Sequence, residues 1–168
     1  MTDLSQKTAN EKRELVDIIL AEVEKSRRIL AESAAAAHDG ATHEDAVAKS
    51  KYDTHGLELS YLAGSQAERL RLLEEDASKL RSMRLPDFGP DKPIAAGAYI
   101  HLAKTKKTIQ HIFLSPWCAG IQVVWQNTKV SVVSPLSPLG EALMDNFEGD
   151  FVTLVNSSYQ ECEILAVI

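Results

Sequence analysis

Apolar residues in the first half of the chain recur at alternating steps of three and four, the spacing of one face of an α-helix. Two such stretches are separated by a polar segment, and glutamate, lysine and arginine residues flank both of them. Each stretch predicts a helix of about 25–30 residues, roughly 40 Å long, and Asn10 is the expected start of the first. The two apolar seams consist of Val16, Ile19, Val23, Ser26, Leu30, Ser33 and Ala37, and of Leu59, Ala63, Gln66, Leu70, Leu73, Ala77 and Leu80.

Two helices joined in this way form an antiparallel hairpin with the seam of a coiled coil. A lone pair of helices buries little surface, so we expect the base of the hairpin to be anchored by another part of the chain. A three-helix bundle, in which residues 38–55 supply a short third helix, is the alternative.

The second half of the chain changes to the β-branched and aromatic composition of strands. One helix interrupts the strands, with Ser137 as its cap, Pro138 at its first position and Glu141 near its start. Four strands, one short helix and two strands predict an α+β fold with one helix against an antiparallel sheet. The predicted strands lie within residues 98–104, 110–115, 121–134 (two strands around a turn at 126–128), 150–156 and 162–168.

The prolines mark the clearest division of the chain. Residues 1–84 contain none of them, and all six lie between residues 86 and 168. Because proline disfavours helix in the residue before it, residues 85–93 should end the second helix and act as a linker. The sequence therefore predicts a helical hairpin domain over residues 1–84 and a sheet domain over residues 94–168.

Composition and charge indicate an ordinary soluble protein. The formal net charge is −6, so the surface as a whole is not suited to free nucleic acid. No apolar run approaches the ~20 residues of a membrane span, and the polar N-terminus has no signal-peptide core. Two cysteines far apart in sequence favour a reduced, cytoplasmic setting, with both acting as packing residues. We expect a monomer that does not associate with membranes.

The segment between the two helices, residues 38–55, is acidic and rich in histidine. It holds the acids Asp39, Glu44, Asp45 and Asp53 and three of the five histidines of the chain, His38, His43 and His55. From the residues alone, a solvated tip is the simplest explanation. A transition-metal site is the alternative, although these histidines lack the i, i+4 spacing of a helical metal-binding pair.

Residues 130–155, VSVVSPLSPLGEALMDNFEGDFVTLV, carry the most specific motif in the chain. This run resembles the C-terminal domain of the bacterial transcript-cleavage factors GreA and GreB: a strand, Ser-Pro-Leu/Ile-Gly-x-Ala-Leu, a spacer, Gly-Asp and another strand. Much of the motif has a structural explanation, because Gly149 permits a tight turn and Asp150 can accept hydrogen bonds from turn amides. The matching residues are Ser137, Pro138, Leu139, Gly140, Ala142, Leu143, Gly149 and Asp150.

The resemblance implies both an architecture and a partner. Family members have an N-terminal helical hairpin of this size, followed by a domain similar in fold to FK506-binding proteins. That domain docks on RNA polymerase beside its secondary channel, which assigns polymerase binding to the corner formed by Ser137, Pro138 and Leu139. An exposed apolar corner before a short helix is a reasonable docking surface.

In the family, the hairpin enters the channel and presents acids in a Gly-Asp-x-x-Glu-Asn pattern. Together with the polymerase they hold Mg²⁺ and a water, so that the polymerase cleaves its own backtracked nascent RNA. Carboxylate oxygens suit this hard cation. The segment Gly40–Asp45 aligns with the pattern, but Ala41 replaces the first acid; the resemblance therefore assigns Mg²⁺ assistance to Glu44 and Asp45. The Mg²⁺ belongs to the polymerase site, and the protein itself is not expected to be an enzyme.

A short basic cluster lies on the first predicted helix and consists of Lys25, Arg27 and Arg28. It is either the charged flank of a coiled coil or a contact for RNA phosphates or acidic walls of the polymerase.

Three other functions are compatible with the sequence. Because of Ala41, the chain could be a Gre-fold regulator that binds polymerase without promoting cleavage. The likeness of the second half to FK506-binding proteins suggests prolyl isomerisation, although the few aromatic residues do not obviously form a pocket. The heptad seams suggest a coiled-coil adaptor.

Overall fold

The computed structural model of the chain describes residues 2–42, 55–105, 108–155 and 159–168. The predicted fold class is confirmed: two long helices precede a six-stranded sheet and one short helix. The elements are α1 Thr2–Thr42, α2 His55–Arg81, β1 Tyr99–Thr105, β2 Thr108–Leu114, β3 Gln122–Trp125, β4 Thr128–Val133, α3 Pro138–Leu143, β5 Phe151–Val155 and β6 Tyr159–Val167.

The first helix begins earlier than the sequence suggested. The expectation that it starts at Asn10 is wrong, because α1 runs from Thr2 and includes Asn10 in its interior. The residues between Thr2 and Asn10 contain neither glycine nor proline, so nothing in them stops the helix from extending towards the N-terminus. A residue that could cap a helix does not mark its start when the segment before it can also be helical.

The chain divides into two compact units, Met1–Glu22 with Ala77–Ile168, and Val23–Asp76. The domain boundaries expected near residues 84 and 94 stay a prediction.

The sheet of the first unit has the strand order β3-β4-β2-β1-β6-β5. Each pair of neighbours is antiparallel except β2 and β4, which run parallel with His111 opposite Val130 and Leu114 opposite Val133. One face of the sheet and α3 enclose a core of aliphatic residues that includes Leu143 of α3 and Ile112 of β2. Because side chains alternate between the two faces of a strand, the neighbours of these core residues point to the opposite face.

The opposite face of the sheet carries buried aromatic side chains. Tyr99, Phe113 and Trp125 each expose at most a few per cent of their surface. Apolar residues from the N-terminal part of α1, from the end of α2 and from the segment just after it are also buried within this unit: Leu15, Val16, Ile19, Leu80 and Met83.

Charged residues early in α1 make specific contacts in this unit. The Arg13 guanidinium donates hydrogen bonds to the carbonyls of Arg81, at 3.0 Å, and Met83, at 3.4 Å. These carbonyls lie at and just beyond the end of α2, where the helix leaves acceptors without helical partners. A cationic side chain is favourable at this position.

Lys12 is the one charged side chain that is buried among the described residues. Its ammonium donates to the carbonyl of Pro86 and lies 5.1 Å from the centre of the Phe88 ring. Burial lowers the pKa of Lys12 to about 8, and the nearby charge of Asp87 offsets only part of that effect. Lys12 therefore links α1 to the proline-rich segment that follows α2.

The second unit is an antiparallel pairing of α1 and α2. Arg27 contacts Glu74 at 3.0 Å, and Ser33 accepts a hydrogen bond from Gln66 at 3.2 Å. The residue that lies later in α1 therefore pairs with the residue that lies earlier in α2, as in an antiparallel pair. The Ser33–Gln66 bond joins the two predicted seams at positions where polar residues replace apolar ones. The predicted antiparallel pairing of the two helices is thus present, and hydrogen bonds contribute to it.

Within the described residues, neither long helix offers a stretch sufficiently apolar to span a bilayer.

Candidate functional site

The most distinctive surface feature is the turn that leads into α3, residues 134–139, called here the α3 corner. Ser137 caps the helix as predicted: its Oγ accepts a hydrogen bond from the Gly140 N–H at 3.0 Å. The same hydroxyl donates to the Ser134 carbonyl at 2.7 Å. Pro138 occupies the first helical turn, where a missing N–H has no cost. These contacts fix the backbone of the corner.

Gly140 allows this corner to be tight. A Cβ atom on Gly140 would lie 1.9 Å from the carbonyl oxygen of Ser134, which is far inside the contact distance of two atoms. Both atoms belong to fixed backbone, so a larger residue would force the turn open. The glycine of the Ser-Pro-Leu-Gly motif therefore has a steric role in holding the corner closed.

The corner contains Ser-Pro-Leu twice, and the two leucines have different environments. Leu136 of the first copy exposes 84% of its surface, whereas Leu139 of the second is partly buried and packs against the aliphatic core. Pro138 is exposed. Leu136 and Pro138 thus form most of the exposed apolar surface of the corner, and Leu139 packs behind them against the core.

Of the three residues predicted to bind polymerase, only Pro138 presents its side chain mainly to solvent. Ser137 is occupied as a helix cap, and Leu139 contributes to packing. Sequence reasoning missed Leu136, although its place in the first Ser-Pro-Leu copy was visible. A repeated tripeptide gives no local signal for which copy faces the core.

The Gly-Asp part of the motif has the predicted structural role. Gly149 has a φ of +91°, a conformation that side-chain-bearing residues rarely adopt. One carboxylate oxygen of Asp150 accepts a hydrogen bond from the Phe147 N–H at 2.8 Å. These residues shape the turn before β5.

The three members of the basic cluster on α1 have different surroundings. Arg27 binds the carboxylate of Glu24 at 2.7 and 2.8 Å and that of Glu74 at 3.0 Å, which ties the two helices together. The hydrogen bonds from Arg27 lower the pKa of Glu24, and those same bonds raise the pKa of Arg27. Lys25 and Arg28 are exposed, and they are the members of the cluster whose side chains face mainly solvent.

The predicted acidic tip lies mostly beyond what the structure describes. Glu44 and Asp45, the residues assigned to Mg²⁺, fall within residues 43–54, outside the described ranges. Gly40 and Ala41, the start of the aligned pattern, lie in the last turn of α1. Within the described part of the chain, no group of three or more histidine, cysteine, aspartate or glutamate side chains is arranged to hold a metal ion.

Comparisons with known proteins give a remote likeness. No family model matches the chain, and no curated protein matches it. Among solved structures, GreA factor homolog 1 (Gfh1) of Thermus thermophilus is 20% identical with a TM-score of 0.36, covering 91% of this chain and 94% of its own. A structure of the transcription factor Gfh1 has 20% identity and a TM-score of 0.39, with coverages of 90% and 92%.

Gfh1 of Thermus aquaticus is 21% identical with a TM-score of 0.37, covering 89% of this chain and 90% of its own. At such low TM-scores these likenesses carry no argument about function.

Proposed function

We propose that this chain is an accessory factor of RNA polymerase of the GreA/GreB type, a cytoplasmic monomer that is not itself an enzyme. The observation that carries the proposal is the α3 corner. There, the Ser-Pro-Leu-Gly motif holds Leu136 and Pro138 in solvent on a backbone fixed by the Ser137 cap. Apolar side chains that project from a fixed backbone are typical of docking sites, because binding then costs no backbone entropy.

The paired helices supply the second part of the proposal. The Arg27–Glu74 and Ser33–Gln66 contacts join α1 to α2 in the second unit. In the proposed complex, α1 delivers Glu44 and Asp45 to the active site of the polymerase. Their carboxylates are the donor type that Mg²⁺ prefers, and Mg²⁺ bound there would stabilise the charge that develops on the RNA phosphate during hydrolysis.

A second candidate is a regulator that occupies the same channel without promoting cleavage. Ala41 favours it, because it stands where the aligned family pattern has its first acid. Loss of one of two metal-binding carboxylates weakens a Mg²⁺ site that has few protein ligands.

One assay separates the two candidates. Purified polymerase is stalled in a backtracked complex with 5′-labelled RNA and incubated with the protein. A cleavage factor shortens the RNA from its 3′ end. A non-cleaving regulator leaves the RNA intact but reduces cleavage when it competes with a known cleavage factor. If the protein does not bind polymerase at all, both candidates are wrong.

A further inference from the structure

Two histidines that the proposed function does not use lie side by side on the sheet. His101 of β1 is the direct cross-strand partner of His111 of β2 in the antiparallel ladder. Their ring centres are 4.5 Å apart, and the ring planes are inclined by 68°. Directly opposed residues on neighbouring strands have their Cβ atoms about 5 Å apart, so their side chains can act on a common ligand.

Tyr99 holds this pair in place from the buried side. Its hydroxyl lies 2.9 Å from Nδ1 of His111, and its ring meets that of His101 edge-on at 5.1 Å. Tyr99 itself is buried, whereas both histidines are only partly buried. The imidazoles are therefore oriented by a rigid neighbour while part of each ring faces solvent.

We propose that His101 and His111 form a binding site for one divalent transition-metal ion such as Zn²⁺ or Ni²⁺. Imidazole nitrogen is a preferred ligand of these ions, at about 2.0–2.1 Å. Two nitrogens on one ion then lie about 3 Å apart, a separation that rings with centres at 4.5 Å reach by small rotations. Water completes the coordination, since the described residues place no third histidine, cysteine or carboxylate in a metal-binding group.

The hydrogen bond between His111 and Tyr99 has a definite role in this site. A histidine that binds a metal through one nitrogen usually donates the proton of its other nitrogen to an oxygen, which fixes the tautomer and the ring orientation. With its Nδ1–H donated to the Tyr99 oxygen, His111 presents the lone pair of Nε2 to the ion. Desolvation lowers the pKa of both histidines, which keeps them in the neutral form that binds metal.

This inference is independent of the function proposed above, because it concerns the sheet and not the acidic segment. The chain provides a matched control, since His38, His43 and His55 all lie in that segment. Replacing all three by glutamine removes every other histidine and leaves the pair on the sheet intact.

The test is calorimetric titration of the full chain with Zn²⁺ and with Ni²⁺ at neutral pH. We expect one ion to bind to the parent and to the triple glutamine variant. The variant His101→Phe keeps an aromatic ring in place but removes a ligand, and it should lose at least about tenfold in affinity. Tyr99→Phe should lose roughly tenfold, the usual effect of removing a hydrogen-bond partner of a ligand. Equal affinity in His101→Phe and the parent would overturn the site.

A second measurement does not depend on any variant folding correctly. Two-bond ¹H–¹⁵N spectra of the parent report the imidazole nitrogens directly. Zn²⁺ should shift one nitrogen of His101 and Nε2 of His111 at one molar equivalent. If Zn²⁺ at that ratio moves only the signals of His38, His43 and His55, the sheet site does not exist.

Discussion

The carboxylate of Glu14 accepts a hydrogen bond from the indole Nε1–H of Trp125 at 3.2 Å, across 111 residues of sequence. Trp125 is buried at the end of β3, and its N–H is a donor that needs a partner when water is excluded. The bond therefore satisfies the indole and connects α1 to the edge of the sheet. Lys12, Arg13 and Glu14 are thus three consecutive residues of α1 that contact three different parts of the same unit.

Replacing Glu14 should lower the stability of the fold. We expect Glu14→Leu to reduce the free energy of unfolding in urea by about 1 kcal/mol, because the buried indole N–H loses its acceptor. Glu14→Gln keeps an acceptor oxygen at the same reach and should cost clearly less. Equal losses in the two variants would mean that the hydrogen bond to Trp125 does not contribute to stability.

Two glycines should respond to alanine in opposite directions. Gly140→Ala places a Cβ against the Ser134 carbonyl and should cost at least about 2 kcal/mol in urea unfolding. Gly64 lies within α2 with no atom near the added methyl group. Gly64→Ala should therefore stabilise the protein by about 0.5–1 kcal/mol, since alanine loses less backbone entropy in a helix. A neutral Gly140→Ala would show that the corner is not closed as described.

The buried Lys12 should make stability depend on alkaline pH. Its pKa is about 8 in the folded protein and near 10.5 when exposed, so the unfolded chain binds more protons between these values. The free energy of unfolding should therefore rise as the pH increases from 8 to 10.5, by at most about 3 kcal/mol from this group.

The control for this effect is Lys12→Met, which keeps the apolar stem and cannot titrate. Urea unfolding at pH 7 and at pH 10 should show the parent gaining stability relative to Lys12→Met. A difference between the two proteins that stays constant with pH would contradict the burial of a titrating ammonium at this position.

The exposed leucine of the α3 corner should matter for binding and not for folding. Leu136→Ser should weaken association with RNA polymerase about tenfold, the effect of losing one contact worth about 1.4 kcal/mol. Val124→Ser is the matched control, because Val124 exposes 67% of its surface on β3, outside the corner. Binding measured by fluorescence anisotropy should distinguish them. The same affinity for both variants would exclude the corner as a docking surface.

Local signals in the sequence were sufficient for most of the fold. The strands and α3 were predicted because their periodicity and the Ser137–Pro138 start act over a few residues. Non-local relationships were not predictable in this way. The parallel pairing of β2 with β4 depends on how the chain crosses the sheet, and no residue within either strand specifies it.

The candidate sites also depend on non-local contacts that the sequence does not indicate. Leu136 and Leu139 occupy equivalent places in two Ser-Pro-Leu copies, and only the packing of α3 on the sheet buries one of them. His101 and His111 are ten residues apart and become neighbours through strand register alone. In the sequence, Lys12 cannot be distinguished from a solvent-facing lysine of a helix. It is buried because the distant segment around Pro86 and Phe88 packs over it.

The decisive measurement is the length of labelled RNA in a backtracked polymerase complex after addition of the protein. We expect the parent to shorten the RNA from its 3′ end. The variant with Glu44→Ala and Asp45→Ala should still bind polymerase but lose this activity, while a control with two exposed acids replaced elsewhere, Asp91→Ala and Glu161→Ala, should keep it. Two results would contradict the assignment of a cleavage-stimulating tip. Either the Glu44/Asp45 variant shortens the RNA as fast as the parent does, or the parent binds the polymerase and leaves the RNA intact.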